Sequence, residues 1–354
     1  MLKDGSASGR AWLRIIVRLT LMAGAILLIA VVSAAAFNYF AIRHYRAIYP
    51  APGRIYSVGG YKTHLYCIGS GTPTIVLESG MGDDFLTWGK VQPELAKATR
   101  VCSYDRSGLG WSEVRPGPRD SNTVSEQLHA LLVQADISGP FLLMGHSLGG
   151  LHIRAYASRY PMEIVGLVLV DSSSPEQLTR FPRSVVELQR HFMTVELNRL
   201  KWKSALGLQR VLGRCGQTPP GYEAYATLFK ADDCIPSLIT AAQREFDAFQ
   251  ESCREAAQTG PFPNVPILIF SEDPNHRDPD IPANIQNEMS PVHNSLQEEL
   301  KNLSARSRRI IVRGTSHYIQ DQRPELLNKE VANFVLQIRG ETPHSSEYGS
   351  TILE

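Results

Sequence analysis

Residues 141–150 read FLLMGHSLGG, and this stretch decides how the chain folds. Four apolar residues come first, as in a buried strand, and a helix-like stretch begins at Leu151. Between them Gly145, Ser147 and Gly149 form the pattern Gly-x-Ser-x-Gly, the nucleophile elbow. Glycine is needed on both sides of the serine because a Cβ there would collide with the neighbouring chain. The stretch therefore predicts a strained turn that holds a reactive serine at a helix N-terminus; an ordinary glycine-rich turn with an unreactive serine is the alternative.

Apolar strands alternate with helical stretches on both sides of this turn. Strand-like runs occupy residues 54–57, 61–67, 74–78, 100–104, 164–170, 266–270 and 309–312. Such an alternation predicts a largely parallel sheet covered by helices on both faces. Between Asp171 and Pro266 the pattern is mostly helical, which indicates an insertion between two strands.

The charge of the chain is uneven. Residues 1–46 contain six Lys and Arg against one acid, which leaves 30 basic and 34 acidic residues in the remainder. A mildly acidic body without a basic stripe argues against nucleic acid as a partner. The five cysteines include no Cys-x-x-Cys pair, so the sequence predicts no metal site.

Residues 19–42 carry no charge, and as a helix of about 36 Å they are long enough to cross a bilayer. We expect an uncleaved membrane anchor. Arg10, Arg14 and Arg18 precede the span and favour a cytosolic N-terminus, with the folded body on the non-cytosolic side. Arg43 and Arg46, behind the span, weaken that orientation. The small residues at 34–36 also fit a signal-peptidase site, and cleavage would instead give a secreted protein.

Four segments, each at the end of a predicted strand, resemble the α/β-hydrolase superfamily and specifically its capped serine-hydrolase branch, which is esterase- and lipase-like. They are residues 78–82, residues 104–112, the elbow and residues 314–317. The resemblance covers roughly residues 53–340. It implies a mostly parallel, eight-stranded sheet with helices on both faces and a helical cap, preceded here by a single N-terminal transmembrane helix.

On this reading the chain divides into five parts. They are an anchor (1–46), the first part of the core (53–173), a helical cap or lid (174–262), the second part of the core (263–340) and a flexible tail (341–354). In this fold the strands that carry Cys67 and Cys102 are neighbours, so a disulfide between them is a further hypothesis.

A serine hydroxyl needs a base within about 3 Å, and the base needs an orienting acid. His317 follows the last predicted strand, which matches the superfamily's chain order with histidine last. For the acid we favour Asp171, directly after the strand that ends at Val170. Asp273 is the alternative, because many relatives carry the acid after the next strand; here the usual Gly-x-x-Asp is replaced by Ser-Glu-Asp-Pro. Glu272 is a distant third.

The resemblance implies that the backbone amides of Met81 and Leu148 form the oxyanion hole. It implies neither a cofactor nor a metal. Haloalkane dehalogenases and epoxide hydrolases of this superfamily place an aspartate at the elbow, where this chain has Ser147.

We therefore expect a serine hydrolase that acts on carboxylic ester-like substrates through an acyl-serine. The substrate would be a small acyl compound, and the membrane anchor favours one derived from lipid. An acyltransferase or a peptidase on the same framework, or a non-catalytic binding protein with this fold, are the alternatives.

Overall fold

The protein is described by a computed structural model that covers residues 5–259, 262, 264–279, 281–341 and 350–353. One sheet forms its centre, and the described residues contribute nine strands to it. The strands are β1 (Arg54–Val58), β2 (Tyr61–Ile68), β3 (Thr74–Glu78), β4 (Val101–Tyr104), β5 (Phe141–His146), β6 (Ile164–Val170), β7 (Ile267–Ser271), β8 (Ser307–Val312) and β9 (Ser350–Leu353).

The spatial order of the strands is β1-β2-β4-β3-β5-β6-β7-β8-β9. The pairs β1–β2 and β2–β4 are antiparallel, and the other six pairs are parallel. The carboxyl ends of the parallel strands therefore lie along one edge of the sheet, where the elbow follows β5.

Two apolar layers cover the sheet, because successive side chains of a strand point to opposite faces. In β5, Leu143 packs into one layer, and Leu142 and Met144 pack into the other. Both β3 and β5 are buried along their whole length, as expected of parallel strands covered on both sides.

Fourteen α-helices occur in the described residues. They are α1 (Gly5–Ile48), α2 (Gln92–Leu95), α3 (Ser121–Gln134), α4 (Leu148–Arg159), α5 (Gln177–Arg180), α6 (Arg183–His191), α7 (Leu197–Ala205), α8 (Leu208–Val211), α9 (Ala226–Asp232), α10 (Pro236–Asp247), α11 (Phe249–Ala257), α12 (Ala283–Glu299), α13 (Ile319–Gln322) and α14 (Pro324–Ile338).

Helices α3 and α4 supply side chains to the layer that contains Leu143, and α2 and α14 supply side chains to the opposite layer. The short α2 has a proline in its first turn, and Asp120 caps the N-terminus of α3, since its carboxylate accepts a hydrogen bond from the Thr123 amide. The seven helices α5 to α11 follow β6 and precede β7. They form a helical insertion between these strands, and its role as a cap or lid stays a prediction.

Two disulfides join parts of the described chain. Cys67 and Cys102 face each other across β2 and β4 and are bonded, as hypothesised from the resemblance. Cys215 and Cys234 form a second bond inside the insertion. The thiol of Cys253 is free and buried.

The C-terminal segment differs from the prediction. A flexible tail is expected over residues 341–354, but Ser350–Leu353 pair in parallel with β8 and make the sheet nine-stranded rather than eight-stranded. The pairing is possible because β8 would otherwise leave its backbone amides and carbonyls open at the sheet edge. Residues 342–349 and 354, which belong to the same predicted tail, lie outside the described residues.

Candidate active site

The turn after β5 has the strained geometry that the sequence predicts. Ser147 has φ 53° and ψ −121°, a conformation that few non-glycine residues adopt. A Cβ on Gly145 would lie 2.6 Å from the carbonyl oxygen of Gly149. A Cβ on Gly149 would lie 2.4 Å from the carbonyl oxygen of Glu78. Both glycines are therefore required by close backbone contacts, as expected from the sequence.

The structure brings His317 to Ser147 from the loop between β8 and α13. The Nε2 atom of His317 lies 2.9 Å from the Oγ atom of Ser147, and its Nδ1 atom lies 2.6 Å from Oδ2 of Asp171. Because an ionised carboxylate only accepts, Nδ1 carries a proton. In the neutral imidazole Nε2 is then an acceptor for the Ser147 hydroxyl.

Asp171 is the acid that reaches His317. It follows β6 directly, is fully buried, and also accepts a bond from the amide of Glu272. The Asp273 carboxylate instead accepts hydrogen bonds from the backbone amides of Gly314 and Asn275. Of the two acids left open by the sequence, only Asp171 contacts the imidazole, while Asp273 braces the loops around it.

A second imidazole, that of His293 on α12, contacts the same carboxylate. Its Nε2 atom lies 3.1 Å from Oδ1 and 3.2 Å from Oδ2 of Asp171. Burial lowers the pKa of His293, but the charge and hydrogen bond of Asp171, with the charge of Glu272, outweigh burial and raise this pKa to about 9. His293 is therefore a cation at neutral pH.

Opposing effects set the charges of Asp171 and His317. Burial raises the pKa of the Asp171 carboxyl, but His293 and His317 together hold that pKa well below its usual range. Burial lowers the pKa of His317, and the hydrogen bond and charge of Asp171 reverse the shift so that the pKa is raised. The positive charge of His293 acts in the other direction on His317 and moderates this rise.

The sequence offers no signal for His293, because it lies in the middle of α12, outside any motif. Asp171, Glu272 and His293 have potential metal-ligand atoms within 4.8 Å of one another. Within this group, the two carboxylate oxygens of Asp171 already accept hydrogen bonds from His293, His317 and the backbone amide of Glu272.

The predicted oxyanion donors are Met81, in the turn after β3, and Leu148, which directly follows Ser147. Both residues line one cavity together with Ser147 and His317, and Leu148 is the first residue of α4. The amide of Leu148 has no carbonyl partner within its helix, since the first four amides of a helix lack one. That these two backbone amides form an oxyanion hole stays a prediction.

Arg106 connects the Met81 loop to the insertion. Its guanidinium donates to Glu78 Oε1 (2.7 Å), to the carbonyl oxygens of Ser79 (2.8 Å) and Gly80 (2.6 Å), and to both carboxylate oxygens of Glu245 on α10. Glu245 also accepts a bond from the Gly82 amide at 2.8 Å. This buried cluster fixes the loop on both sides of Met81.

His146, inside the elbow, has a positioning role. It is fully buried, and its Nε2 donates to the carbonyl oxygen of His317 at 3.0 Å. Burial, together with the charge of His317, lowers the pKa of His146 to about 3, so the imidazole is neutral. The bond therefore holds the loop that presents His317.

A cavity of about 310 Å³ opens on Ser147 and has two kinds of wall. Helices of the insertion contribute apolar side chains, while the loop after β7 contributes polar ones. The apolar wall contains Phe181, Phe192, Met193, Phe246 and Phe249, and the polar wall contains Glu272, Asp273, His276 and Asp278. Small-molecule sites commonly combine an apolar lining with a few polar groups in this way.

A family model described as the alpha/beta hydrolase fold matches residues 73–204, which include β3 to β6 and the elbow. The match covers 132 of the 354 residues and supports the resemblance to the α/β-hydrolase superfamily. The predicted superfamily and its fold, a mostly parallel sheet with helices, are thereby confirmed.

Among the solved structures with a similar fold is that of a thermophilic esterase from Thermogutta terrifontis. Its solved structure is 19% identical and has a TM-score of 0.57, and the match covers 81% of this chain and 99% of the esterase. At this identity the likeness concerns the fold.

Two curated relatives match in part. An uncharacterized protein of Schizosaccharomyces pombe is 32% identical over 202 residues, which are 49% of this chain and 36% of the relative. An uncharacterized vacuolar membrane protein of Saccharomyces cerevisiae is 36% identical over 112 residues, 30% of this chain and 17% of the relative. The chain thus spans well under half the length of these two relatives.

Proposed function

We propose that this protein is a membrane-anchored serine hydrolase that cleaves carboxylic esters through an acyl-serine. The observation that carries the proposal is the chain of hydrogen bonds from Ser147 through His317 to Asp171, at the wall of a cavity. A serine at the elbow supports acyl transfer over dehalogenase or epoxide-hydrolase chemistry, which uses an elbow aspartate in this superfamily.

In the first step Oγ of Ser147 attacks the ester carbonyl carbon, and its proton passes to Nε2 of His317. The carbonyl electron pair moves to the oxygen, which the amides of Met81 and Leu148 stabilise; the loss of one such donor typically costs about 10²–10³ in rate. Asp171 stabilises the imidazolium by accepting a hydrogen bond from its Nδ1–H group. When the carbon–oxygen bond to the alcohol breaks, the leaving oxygen takes the proton from Nε2.

In the second step a water molecule gives a proton to Nε2 and attacks the acyl-serine. The second tetrahedral intermediate collapses, the acid leaves, and the proton returns to Ser147. We assign the helical insertion, predicted at residues 174–262, as the lid that shapes the acyl pocket, since its phenylalanines form the apolar wall. This wall favours an apolar acyl group.

The membrane part of the proposal rests on α1. Over residues 11–48 it is long and apolar enough to cross a membrane. We propose a single-pass anchor with the folded body on the non-cytosolic side. The two disulfides support that side, because such bonds persist mainly in oxidising compartments. A vacuolar membrane protein among the partial relatives is consistent with a membrane location.

The test is covalent labelling of the full chain in detergent with a fluorophosphonate probe, beside the variants Ser147→Ala and His317→Ala. Labelling of the wild type alone is expected, because only a serine activated by its base reacts quickly. Hydrolysis of p-nitrophenyl esters with acyl chains of increasing length then measures the substrate preference. Equal labelling of Ser147→Ala, or no labelling of a folded wild type, would contradict the proposal.

Acyl transfer to an alcohol or amine shares the same acyl-serine. Addition of a short alcohol during the ester assay separates the two reactions: a hydrolase gives free acid as its main product, and an acyltransferase gives mainly the new ester.

A further inference from the structure

Helix α1 is bound to the body along only part of its length. Residues 11–30 are exposed all around the helix. From residue 31 onward one face is covered, at positions 31, 34, 35, 38, 41, 42, 45, 46 and 49. This spacing of three and four residues is that of one helix face. The second half of the helix is therefore docked against the folded body.

The docking partners are helices of the insertion. Asn38 is buried and donates to the carbonyl oxygens of Ser204 (2.8 Å) and Cys234 (3.3 Å), while its Oδ1 accepts from Arg210 Nε at 2.7 Å. Gly207, between α7 and α8, approaches so closely that a Cβ there would lie 2.0 Å from the carbonyl oxygen of Ala34.

The docking continues towards the end of the helix. Arg46 donates to Asp232 Oδ1 at 2.6 Å and to the carbonyl oxygen of Gly110 at 2.5 Å. The insertion and α1 are thus held together by backbone contact, buried hydrogen bonds and an ion pair.

These contacts fix the depth of α7 and α8 relative to the membrane. The first uncharged residue of the span is Leu19, and Asn38 with its partner Arg210 is the first polar pair that follows. These 20 positions correspond to about 30 Å of helix, the thickness of a bilayer core. Ala34 lies about 6 Å inside that boundary at 1.5 Å per residue, so Gly207 lies inside it as well.

Apolar side chains are exposed at this level. Trp202, Leu208, Val211 and Leu212 are 58%, 40%, 60% and 63% exposed, and we call them the α7–α8 patch. The last three, which are the two ends of α8 and its C-cap Leu212, are spaced i, i+3, i+4, the spacing of one helix face. Lys203 and Arg214 are exposed beside them, and their long stems let the charges reach the lipid phosphates. A bilayer matches both the apolar and the cationic side chains.

We propose that the α7–α8 patch is inserted into the outer part of the bilayer that α1 crosses, so that the lid rests on the membrane. Phe192, in the π-helical turn Phe192–Glu196 directly before α7, lines the cavity and is 53% exposed. Resting on the proposed function, the inference extends to the substrate, which is an ester dissolved in the lipid phase.

Insertion is tested with the full chain in vesicles of phosphatidylcholine and phosphatidylglycerol. An NBD fluorophore is attached to a single introduced cysteine in the variants Val211→Cys, Ile26→Cys or Met162→Cys. Met162 is the matched control, since it is apolar and 96% exposed but lies between α4 and β6. Lipids with a nitroxide in the acyl chain quench NBD that is immersed in the bilayer.

Quenching at positions 26 and 211 but not at 162 is the expected result. Quenching at 26 without quenching at 211 overturns the inference, because α1 then crosses the bilayer while the lid stays in water. A lack of quenching at 26 also overturns it, since the depth argument requires α1 in the bilayer.

The substrate part has a separate test. The variant with Trp202, Leu208, Val211 and Leu212 all changed to Ser is expected to lose on the order of tenfold in hydrolysis of a long-chain ester held in vesicles. Its hydrolysis of a soluble short-chain ester should remain unchanged. Equal loss on both esters overturns the lipid-phase route. If the wild type cleaves neither ester, the proposed function fails, while the quenching result stands on its own.

Discussion

The Nε2 atom of His293 lies 3.1 Å from Oδ1 of Asp171, so the carboxylate that receives a bond from His317 also receives one from a second imidazole. Asp171 therefore lies between two imidazoles. Its contact with His293 outweighs the opposing effect of burial and raises the pKa of His293 to about 9. The arrangement keeps Asp171 ionised and holds the second imidazole in the charged form at neutral pH. It leads to two predictions, one on catalysis and one on stability.

The variant His293→Gln should shift the acidic limb of the kcat/KM profile to higher pH. Activity requires neutral His317, and the charge of His293 lowers the pKa of His317. Removal of that charge should therefore raise the pKa of His317. The variant His276→Gln is the control, because His276 lines the same cavity and the profile should not move. An unchanged profile in His293→Gln would contradict the prediction, whatever happens to kcat.

Stability should also depend on the protonation of His293. The pKa of His293 is about 9 in the folded chain against an ordinary value of 6.5, so the folded state binds this proton more tightly. The stabilisation is fully present below about pH 6.5 and is lost as the pH rises through 9. It amounts to roughly 3 kcal/mol at most.

Urea unfolding in detergent at several pH values between 6 and 9.5 measures this effect as the difference between wild type and His293→Gln. The titratable groups that act on His293 are those of Asp171, Glu272, Arg309 and His317. Both proteins contain all four, so the comparison isolates the effect of His293. The difference should shrink over this range. A difference that does not change with pH would rule out a charged His293.

Exchange of each candidate acid for its amide should separate their roles. Asp171→Asn is expected to lower kcat by about 10³–10⁴, because the amide no longer stabilises the correct tautomer and charge of His317. Asp273→Asn should retain activity within about tenfold, since its oxygen still accepts the Gly314 amide at this position. Steady-state ester hydrolysis measures both. Similar losses in the two variants would count against Asp171 as the acid.

The sequence predicts the parts of this site that depend on local geometry. The elbow can be identified because the strand, the two glycines and the helix are contiguous, and each imposes its own pattern on neighbouring residues. The loop position of His317 follows in the same way from the strand before it and the helix after it. The predicted and observed strand bounds agree to within a few residues, because each strand is covered on both faces and therefore contains a run of apolar residues.

The remaining features depend on contacts between distant segments. Asp171 and His317 are 146 positions apart, and Asp171 and His293 are 122 apart, so no local pattern distinguishes Asp171 from Asp273 or singles out His293. The strand β9 is similar. Its four residues have no strong strand pattern of their own, and their conformation depends on pairing with β8.

Gly149→Ala tests the tight packing of the elbow. The new methyl group would lie 2.4 Å from the carbonyl oxygen of Glu78 and 2.7 Å from that of Ser79, and both are backbone atoms, at the end of β3 and directly after it. We expect a loss of about 1–3 kcal/mol in unfolding free energy, with a lower Tm and little activity. Gly24→Ala is the control, since a Cβ there meets nothing within 4 Å. Equal Tm values for the two variants would disagree with this packing.

Glu245→Ala should separate the lid from the Met81 loop. Glu245 accepts two bonds from Arg106 and one from the Gly82 amide, all of them out of contact with water. Removal of one partner of a buried ion pair typically costs 3–5 kcal/mol because the other charge stays buried, although Glu78 still offsets part of it here.

The matched control is Glu187→Ala, which breaks an exposed pair with Arg183 on α6 and should cost less than about 0.5 kcal/mol. Urea unfolding gives the two free energies, and limited proteolysis of the insertion reports whether the lid has become loose. Because Arg106 also positions the carbonyl groups beside Met81, we expect Glu245→Ala to lower kcat as well as stability. Loss of stability without faster cleavage of the insertion would mean that the pair stabilises the core but does not hold the lid.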